Sequence, residues 1–410
     1  MKCGLLGEKL GHSFSPQIHS MLTDIYDYSL FEVSRDDLET FMTKRDFDGI
    51  NVTIPYKKEV MRFLDGISEK AAAIGCVNTI KNTDGYLYGD NTDYDGFSYI
   101  LDSLDLDLQG KKVLVLGSGG GSLTVRTVLA ERKAGQVVVI SRNGPDNYEN
   151  INKHCDASLI VNATPVGMYP DNLHSLVDLD VFRDIEAVAD IVYNPILTRI
   201  LLDAKERGIK YVNGLGMLVS QARRASEIFT GETISDDVVE TITERLEKER
   251  LNVILIGMPG CGKTSVGKAV SEKLGRKHFD IDGLITERIG MPIHEFFAQN
   301  DEREFRRVET EIMSDICRNT GVVISTGGGA VTRNENYDIL KQNGVIVLLD
   351  RPLDQLEVDG RPLSLSRSVE VLYNERKDMY NMFSDFSVKC TTIDSTAEEV
   401  IERFLSYRGE

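Results

Sequence analysis

Short apolar runs alternate with longer stretches whose apolar positions recur at helical spacing, and this rhythm starts twice along the chain. In the first hundred residues, FDGINVTIP at 47–55 predicts a strand closed by Pro55, and 56–64 the start of an amphipathic helix carrying Lys57 in its first turn. KKVLVL at 111–116 predicts a buried strand, followed at once by GSGGG and a helix over 123–132. Strands follow at 136–140 and 157–162, and helical patterning returns over 215–228 and 236–250. The second series opens with NVILI at 252–256, a glycine-rich turn and a helix over 265–274, with further buried strands at 321–325 and 344–349. Continuous β-branched runs separated by helices imply an α/β fold built on parallel sheets covered on both faces. The two series are joined by a charged helical segment, TERLEKERLN, not by a Pro/Gly/Ser-rich tether.

A length of 410 residues fits two or three domains. The net charge of −18 argues against nucleic-acid or anionic membrane partners, so an anionic substrate must be gripped by a local group of cations. No apolar run approaches the roughly 18 residues of a spanning helix, and MKCGLLGEKLGHS does not read as a signal peptide. Six scattered cysteines without a CxxC pair fit a reducing compartment. The expectation is a soluble cytoplasmic protein acting on small molecules.

Gly257-Met-Pro-Gly260-Cys261-Gly262-Lys263-Thr264 fits GxxxxGK[ST] between a predicted strand and helix. Glycines let backbone amides curl around a phosphate, the helix N-terminus adds positive potential, Lys263 neutralises the β/γ oxygens and Thr264 reaches Mg²⁺. Ser265 and Cys261 complete the nucleotide cradle, and alkylation of Cys261 is expected to impair the activity of this site. Phe279-Asp280-Ile281-Asp282 sets two carboxylates at the C-terminal edge of a sheet, where ligands bind in such folds.

With EREFRRVE at 302–309, TGGG at 326–329, RPL at 361–363 and ERxxxY at 375–380, the region 251–410 resembles shikimate kinases. The resemblance implies Asp280 on Mg²⁺ with Thr264, Asp282 as the base at the attacking hydroxyl, and Arg306 and Arg376 on the substrate carboxylate. Gly327, Gly328 and Gly329 would approach the substrate ring, and Arg361 in a lid would reach the transferred phosphate. It also implies an adenine-stacking arginine where this chain has Gln355, Leu356 and Glu357, so nucleotide affinity or base selectivity is expected to be weaker.

In the first series, Gly117-Ser118-Gly119-Gly120-Gly121 between strand and helix predicts a dinucleotide cradle. The next strand ends in Ser141-Arg142 where an acid would select NAD, and an arginine there favours a 2′-phosphate and thus NADP. GHSFSP at 11–16, NVTIPYK at 51–57, AIGCVNT at 73–79, GDNTD at 89–93, NATPVGM at 162–168, DIVYNP at 190–195 and GLGMLVSQA at 214–222 resemble shikimate dehydrogenases over nearly all of 1–246. By that resemblance Lys57 and Asp93 form the acid/base pair. Ser13 and Ser15 bind the substrate carboxylate, approached from the other side by Tyr193. Thr53, Asn78 and Gln221 bind ring hydroxyls, while Asn162 and Met217 face NADP(H).

The expected architecture is a substrate-binding α/β domain (1–101, completed by 213–247), a Rossmann-type NADP domain (102–212) and a P-loop kinase domain (251–410). The expected function is NADPH-dependent reduction of 3-dehydroshikimate followed by phosphorylation of shikimate with Mg²⁺ and ATP. Two rival readings are a kinase attached to a retired dehydrogenase scaffold, and a nucleotide-sensing P-loop domain that regulates the dehydrogenase.

Overall fold

Three sheets organise the chain in a computed structural model that describes all residues except 12, 357–367 and 409–410. The first sheet contains β1 (Lys2–Gly7), β2 (Asp27–Glu32), β3 (Gly49–Val52), β4 (Gly66–Ile67), β5 (Thr79–Thr83) and β6 (Tyr86–Asp90), in the order β2-β1-β3-β5-β6-β4. It is mixed, because β5 runs antiparallel to both β3 and β6. The antiparallel pairing has a local cause. Asp84 (φ 51°) and Gly85 (φ 89°) make a two-residue turn between β5 and β6 with both central residues left-handed, the geometry that closes a hairpin without splaying its strands. The helix expected over 56–64 is replaced. Residues 54–58 form turns followed by a 3-10 segment, Glu59–Phe63, and the Lys57 carbonyl accepts from Val77 N at 2.9 Å. Lys57 is thereby tied to the segment just ahead of β5 that carries Asn78, instead of opening a helix.

The second sheet is wholly parallel: β7 (Lys112–Leu116), β8 (Gln136–Ile140), β9 (Leu159–Asn162), β10 (Ala187–Asp190) and β11 (Lys210–Val212), ordered β11-β10-β9-β7-β8. The chain leaves β7 one way to reach β8 and returns on the other side as β9, so the crevice of this sheet opens where GSGGG follows β7. Val113, Val115, Val125, Val128 and Leu129 are fully buried between sheet and helix Gly120–Glu131. Helix Leu215–Thr230 packs against helices Asp93–Ser103 and Ser15–Leu22.

The third sheet is also parallel, with β12 (Asn252–Ile256), β13 (His278–Asp280), β14 (Val323–Ser325), β15 (Gly344–Asp350) and β16 (Phe386–Lys389) in the order β13-β14-β12-β15-β16. Every residue of β12 is buried, as expected of a central strand covered on both faces. By contacts the chain divides into two units, Met1–Met168 with His174–Asn194 and Ile200–Arg245, and Leu246–Glu410 with Tyr169–Leu173 and Pro195–Arg199.

Candidate active sites

In the first unit the ends of several elements converge. Lys57 Nζ donates to Asp93 Oδ2 at 2.6 Å, with 27% and 16% of the two side chains exposed, so the pair is partly desolvated yet reachable. Asp93 opens helix Asp93–Ser103, and the residue before it, Thr92, is fully buried. Asn78 Oδ1 accepts from Thr92 N at 2.7 Å and from Thr79 Oγ1 at 3.1 Å, and Asn78 Nδ2 donates to Gln221 Oε1 at 3.3 Å. An unbroken chain of contacts therefore runs Gln221–Asn78–Thr92–Asp93–Lys57. Thr92 lay within the GDNTD motif without an assigned role. Its amide bond to Asn78 is what fixes the start of the helix and thus the position of Asp93.

Ser13 Oγ and Ser15 Oγ stand 3.2 Å apart at the entrance to helix Ser15–Leu22, and Ser15 N also donates to Ser13 Oγ. Phe14 between them meets the Tyr193 ring edge-on with centroids 6.1 Å apart, which brings Tyr193 to the serine turn. Thr53 follows β3, its amide bonded to Leu6 O at 3.0 Å. Gly96 is a further site-shaping residue that the sequence did not reveal. A Cβ there would lie 2.5 Å from Met217 O and 3.3 Å from Gln221 Cβ, so only glycine lets the helix bearing Asp93 approach the helix bearing Met217 and Gln221.

The turn after β7 fits a dinucleotide. Gly117 has φ 101°, and a Cβ on it would collide with Thr164 Cγ2 at 2.6 Å. Cβ atoms on Gly119 and Gly120 would meet nothing among the described residues within 4 Å. Open space therefore stands over a helix N-terminus that no side chain caps, the arrangement that accepts a pyrophosphate. Arg142 is exposed just beyond β8, and the Ser141 amide is held by Asp146 O at 3.2 Å. The Asn162 amide group is engaged internally: Nδ2 donates to Asp190 Oδ1 at 2.9 Å and to Val166 O at 3.1 Å, while Oδ1 accepts from Thr164. Its side chain shapes the loop after β9; Asp190, fully buried and given no role within the DIVYNP motif, is its partner.

In the second unit Gly257 (φ 143°), Gly260 (φ 84°) and Gly262 (φ 99°) curl the turn after β12, backbone that side chains other than hydrogen rarely permit. Lys263 is buried and its Nζ donates to Gly257 O at 2.8 Å and Met258 O at 3.1 Å, lying across the turn. Thr264 Oγ1 donates to Asp280 Oδ2 at 3.0 Å. This hydroxyl–carboxylate pair suits Mg²⁺, which takes few protein ligands and completes its shell with phosphates and water. Ser265 is exposed in the first turn of helix Lys263–Leu274. Cys261 is a correction: its side chain is 1% exposed, and its sulfur lies 3.0 Å from where a Gly257 Cβ would be, so it packs inside the loop and does not offer the thiol expected to react.

Asp301 caps helix Glu302–Ile316 by accepting from Glu304 N at 2.8 Å, and this phasing puts Arg306 and Glu309 on one buried face. Arg306 Nη1 donates to Glu309 Oε2 at 2.7 Å and Nη2 reaches Glu302 Oε1 at 3.3 Å. Burial disfavours the Arg306 charge, but Glu309 and Glu302 outweigh it and leave the guanidinium pKa raised. Burial likewise raises the pKa of Glu309, opposed by Arg306 and reinforced by the nearby Asp282 charge. Glu309 is fully buried, and its Oε1 has no partner among the described residues.

The TGGG turn threads between these groups. A Cβ on Gly327 would sit 2.3 Å from Glu309 Oε1 and 2.9 Å from Asp282 Oδ1, one on Gly328 2.6 Å from Pro259, and one on Gly329 2.0 Å from Arg306 Nη2. Arg376 and Tyr380, one turn apart on helix Val369–Phe383, both bond Gly328 O, at 3.1 and 2.5 Å. Asp282, Arg306, Arg376 and the three glycines are thus brought together, with Glu309 as a member the sequence left unassigned. Arg361 lies outside the described residues.

These features define an α/β chain that couples a dinucleotide-cradle site with a Lys–Asp pair to a P-loop site with arginines beside a carboxylate. Known proteins agree with that division. Residues 5–80 match the shikimate dehydrogenase substrate binding domain, and 259–407 match shikimate kinase. An NADP⁺-dependent shikimate dehydrogenase of Clostridium perfringens is 39% identical over 264 residues, covering 60% of this chain and 97% of that protein. A chorismate mutase/shikimate 5-dehydrogenase fusion protein from Clostridium acetobutylicum is similar in structure, with TM-score 0.56, 39% identity, and coverage of 60% of this chain and 97% of that one. A Thermus thermophilus shikimate 5-dehydrogenase in complex with NADP(H) and shikimate gives TM-score 0.54 at 32% identity, covering 59% and 98%. The chain belongs to the shikimate dehydrogenase family, and its C-terminal part is a shikimate kinase domain.

Proposed function

We propose that this bifunctional enzyme of the shikimate pathway reduces 3-dehydroshikimate to shikimate in its first unit and phosphorylates the 3-hydroxyl of shikimate in its second. The observation that carries the first half is the Lys57–Asp93 pair at the end of the Gln221–Asn78–Thr92 chain. When bound, NADPH supplies the hydride to the ketone carbon. Lys57 Nζ gives its proton to the ketone oxygen as the alcohol forms, and Asp93 holds the ammonium in place and assists its reprotonation. Asn78, Gln221 and Thr53 orient the ring through its hydroxyls, while Ser13, Ser15 and Tyr193 take the carboxylate. The glycine turn after β7 would hold the pyrophosphate, with Met217 nearby and Ser141 and Arg142 on the 2′-phosphate. Asn162 supports that site through the loop after β9.

In the second unit Arg306 and Arg376 fork onto the substrate carboxylate, and Asp282 accepts the proton of the 3-hydroxyl as its oxygen attacks phosphorus. When bound, ATP donates the phosphoryl group and Mg²⁺, held by Thr264 and Asp280, offsets its charge. Lys263 leaves its two carbonyl partners for phosphate oxygens, and Gly257, Gly260 and Gly262 supply backbone amides. Arg361 is assigned the transferred phosphate by resemblance.

The substrates are small molecules. No described helix is long and apolar enough to cross a membrane, and we place the enzyme in the cytoplasm on its reduced, scattered cysteines. Separate assays of NADPH oxidation with 3-dehydroshikimate and of phosphate transfer to shikimate test the two halves. Absence of the first would leave the kinase with a scaffold. ATP control of NADPH oxidation without shikimate phosphorylation would favour a nucleotide sensor.

A further inference from the structure

We propose that Arg351 is a nucleotide-binding residue of the kinase site, reading the polyphosphate of ATP from the end of β15. This inference rests on the kinase reading above. Leu348 of β15 is in register with Ile256, the last residue of β12, so Arg351 emerges beside the glycine-rich turn that begins at Gly257. The approach is direct: among the described residues, a Cβ built on Gly262 would meet Arg351 Nη1, at 3.8 Å. Gly262 immediately precedes Lys263 and opens the helix whose N-terminal amides face a bound phosphate.

Among the described residues the Arg351 side chain has no ion pair that explains this position. Arg351 Nε is buried and has no hydrogen-bond partner among the described residues. Arg306 in the same unit is clamped by Glu309 and Glu302, whereas no carboxylate among the described residues pairs with Arg351. A buried donor left unmade is costly, and a guanidinium fork matches phosphate oxygens. Within 350–356 Arg351 is the sole basic residue, since the turn Leu353–Gln355 and Leu356 carry no cation. Arg351 does not replace the adenine-stacking arginine that the resemblance implies near 355–357; it adds a cation at the phosphate end of the same site.

The test uses the full chain and two variants, Arg351→Gln and Arg351→Lys. ADP and inorganic tripolyphosphate are titrated into each by calorimetry, and steady-state kinase rates are measured alongside. Loss of one charge-assisted contact should weaken both ligands about tenfold in Arg351→Gln, with partial recovery in Arg351→Lys. The KM for MgATP should rise by a similar factor while kcat and the KM for shikimate stay within about twofold. Unchanged affinity for both ligands would overturn the proposal. Weaker ADP binding with unchanged tripolyphosphate binding would also overturn it, by placing Arg351 against the base. If the wild type binds ADP but never phosphorylates shikimate, the kinase reading falls while the titrations still decide the role of Arg351.

Discussion

Lys57 Nζ lies 2.6 Å from Asp93 Oδ2, although the two residues are 36 positions apart and sit in a turn and at a helix start. Both are reachable from solvent, and each is fixed by backbone: Lys57 through its carbonyl on Val77 N, Asp93 through Thr92 N on Asn78. A positioned proton donor contributes roughly 10²–10⁴-fold to rate. Lys57→Ala should therefore lower dehydrogenase kcat by about that factor while phosphorylation of supplied shikimate is unchanged. Asp93→Asn should also slow reduction. Wild-type reduction rates in both variants would remove the pair from the chemistry.

Gly96→Ala tests how helix approach sets the site. The added methyl would stand 2.5 Å from Met217 O, backbone that cannot rotate away. Forcing the helices apart should cost about 1–3 kcal/mol of stability and raise the KM for 3-dehydroshikimate by moving Gln221 from Asn78. Denaturant melts and initial rates with unchanged midpoint and KM would show that the close approach is unimportant.

Glu309→Gln removes the charge that holds Arg306. Breaking one side of a buried pair costs roughly 3–5 kcal/mol when the partner is left uncompensated, and glutamine should soften that by retaining a hydrogen bond. The expected signature is a raised KM for shikimate with the KM for MgATP unchanged, because Glu309 and Arg306 border Gly327 and Gly329, not the phosphate cradle. Equal rises in both constants would point to general loosening of the second unit.

The first unit should lose stability in mild acid through His19. Its Nδ1 is 2.7 Å from the Tyr26 hydroxyl, and its ring stacks on Tyr28 with centroids 3.9 Å apart. Burial lowers its pKa from 6.5 to about 3, with Asn51 opposing weakly. Below pH 6.5 the unfolded chain binds a proton that the folded ring refuses until about 3. The contribution is therefore complete above 6.5 and is lost as pH falls toward 3. Urea unfolding at about pH 7.5 and about pH 5 should show a smaller pH difference in His19→Gln than in the wild type; equal differences would exclude His19 as the source.

Continuous apolar runs made β7, β8, β12 and β15 legible from sequence, because buried parallel strands need no alternation. The hairpin β5–β6 was missed although Asp84-Gly85 between two alternating runs signals it. Lys57 shows the limit of periodicity: 56–64 has helical spacing, yet the bond from Val77 N to its carbonyl, a tertiary interaction, decides the backbone. Motif order found most residues that converge at each site. Glu309, Gly96, Asp190 and Arg351 escaped because their significance lies in what they touch, and no spacing rule encodes a Cβ that would strike a neighbouring helix.

The central claim is that one chain converts 3-dehydroshikimate to shikimate 3-phosphate through free or bound shikimate. Purified protein is incubated with 3-dehydroshikimate, NADPH and MgATP and the products are identified by mass spectrometry, beside Lys57→Ala and Asp282→Ala. Shikimate 3-phosphate is expected from the wild type, accumulated shikimate from Asp282→Ala, and unreacted 3-dehydroshikimate from Lys57→Ala. Unreacted 3-dehydroshikimate in every tube, with added shikimate still phosphorylated by the wild type, would contradict it and leave the first unit a scaffold.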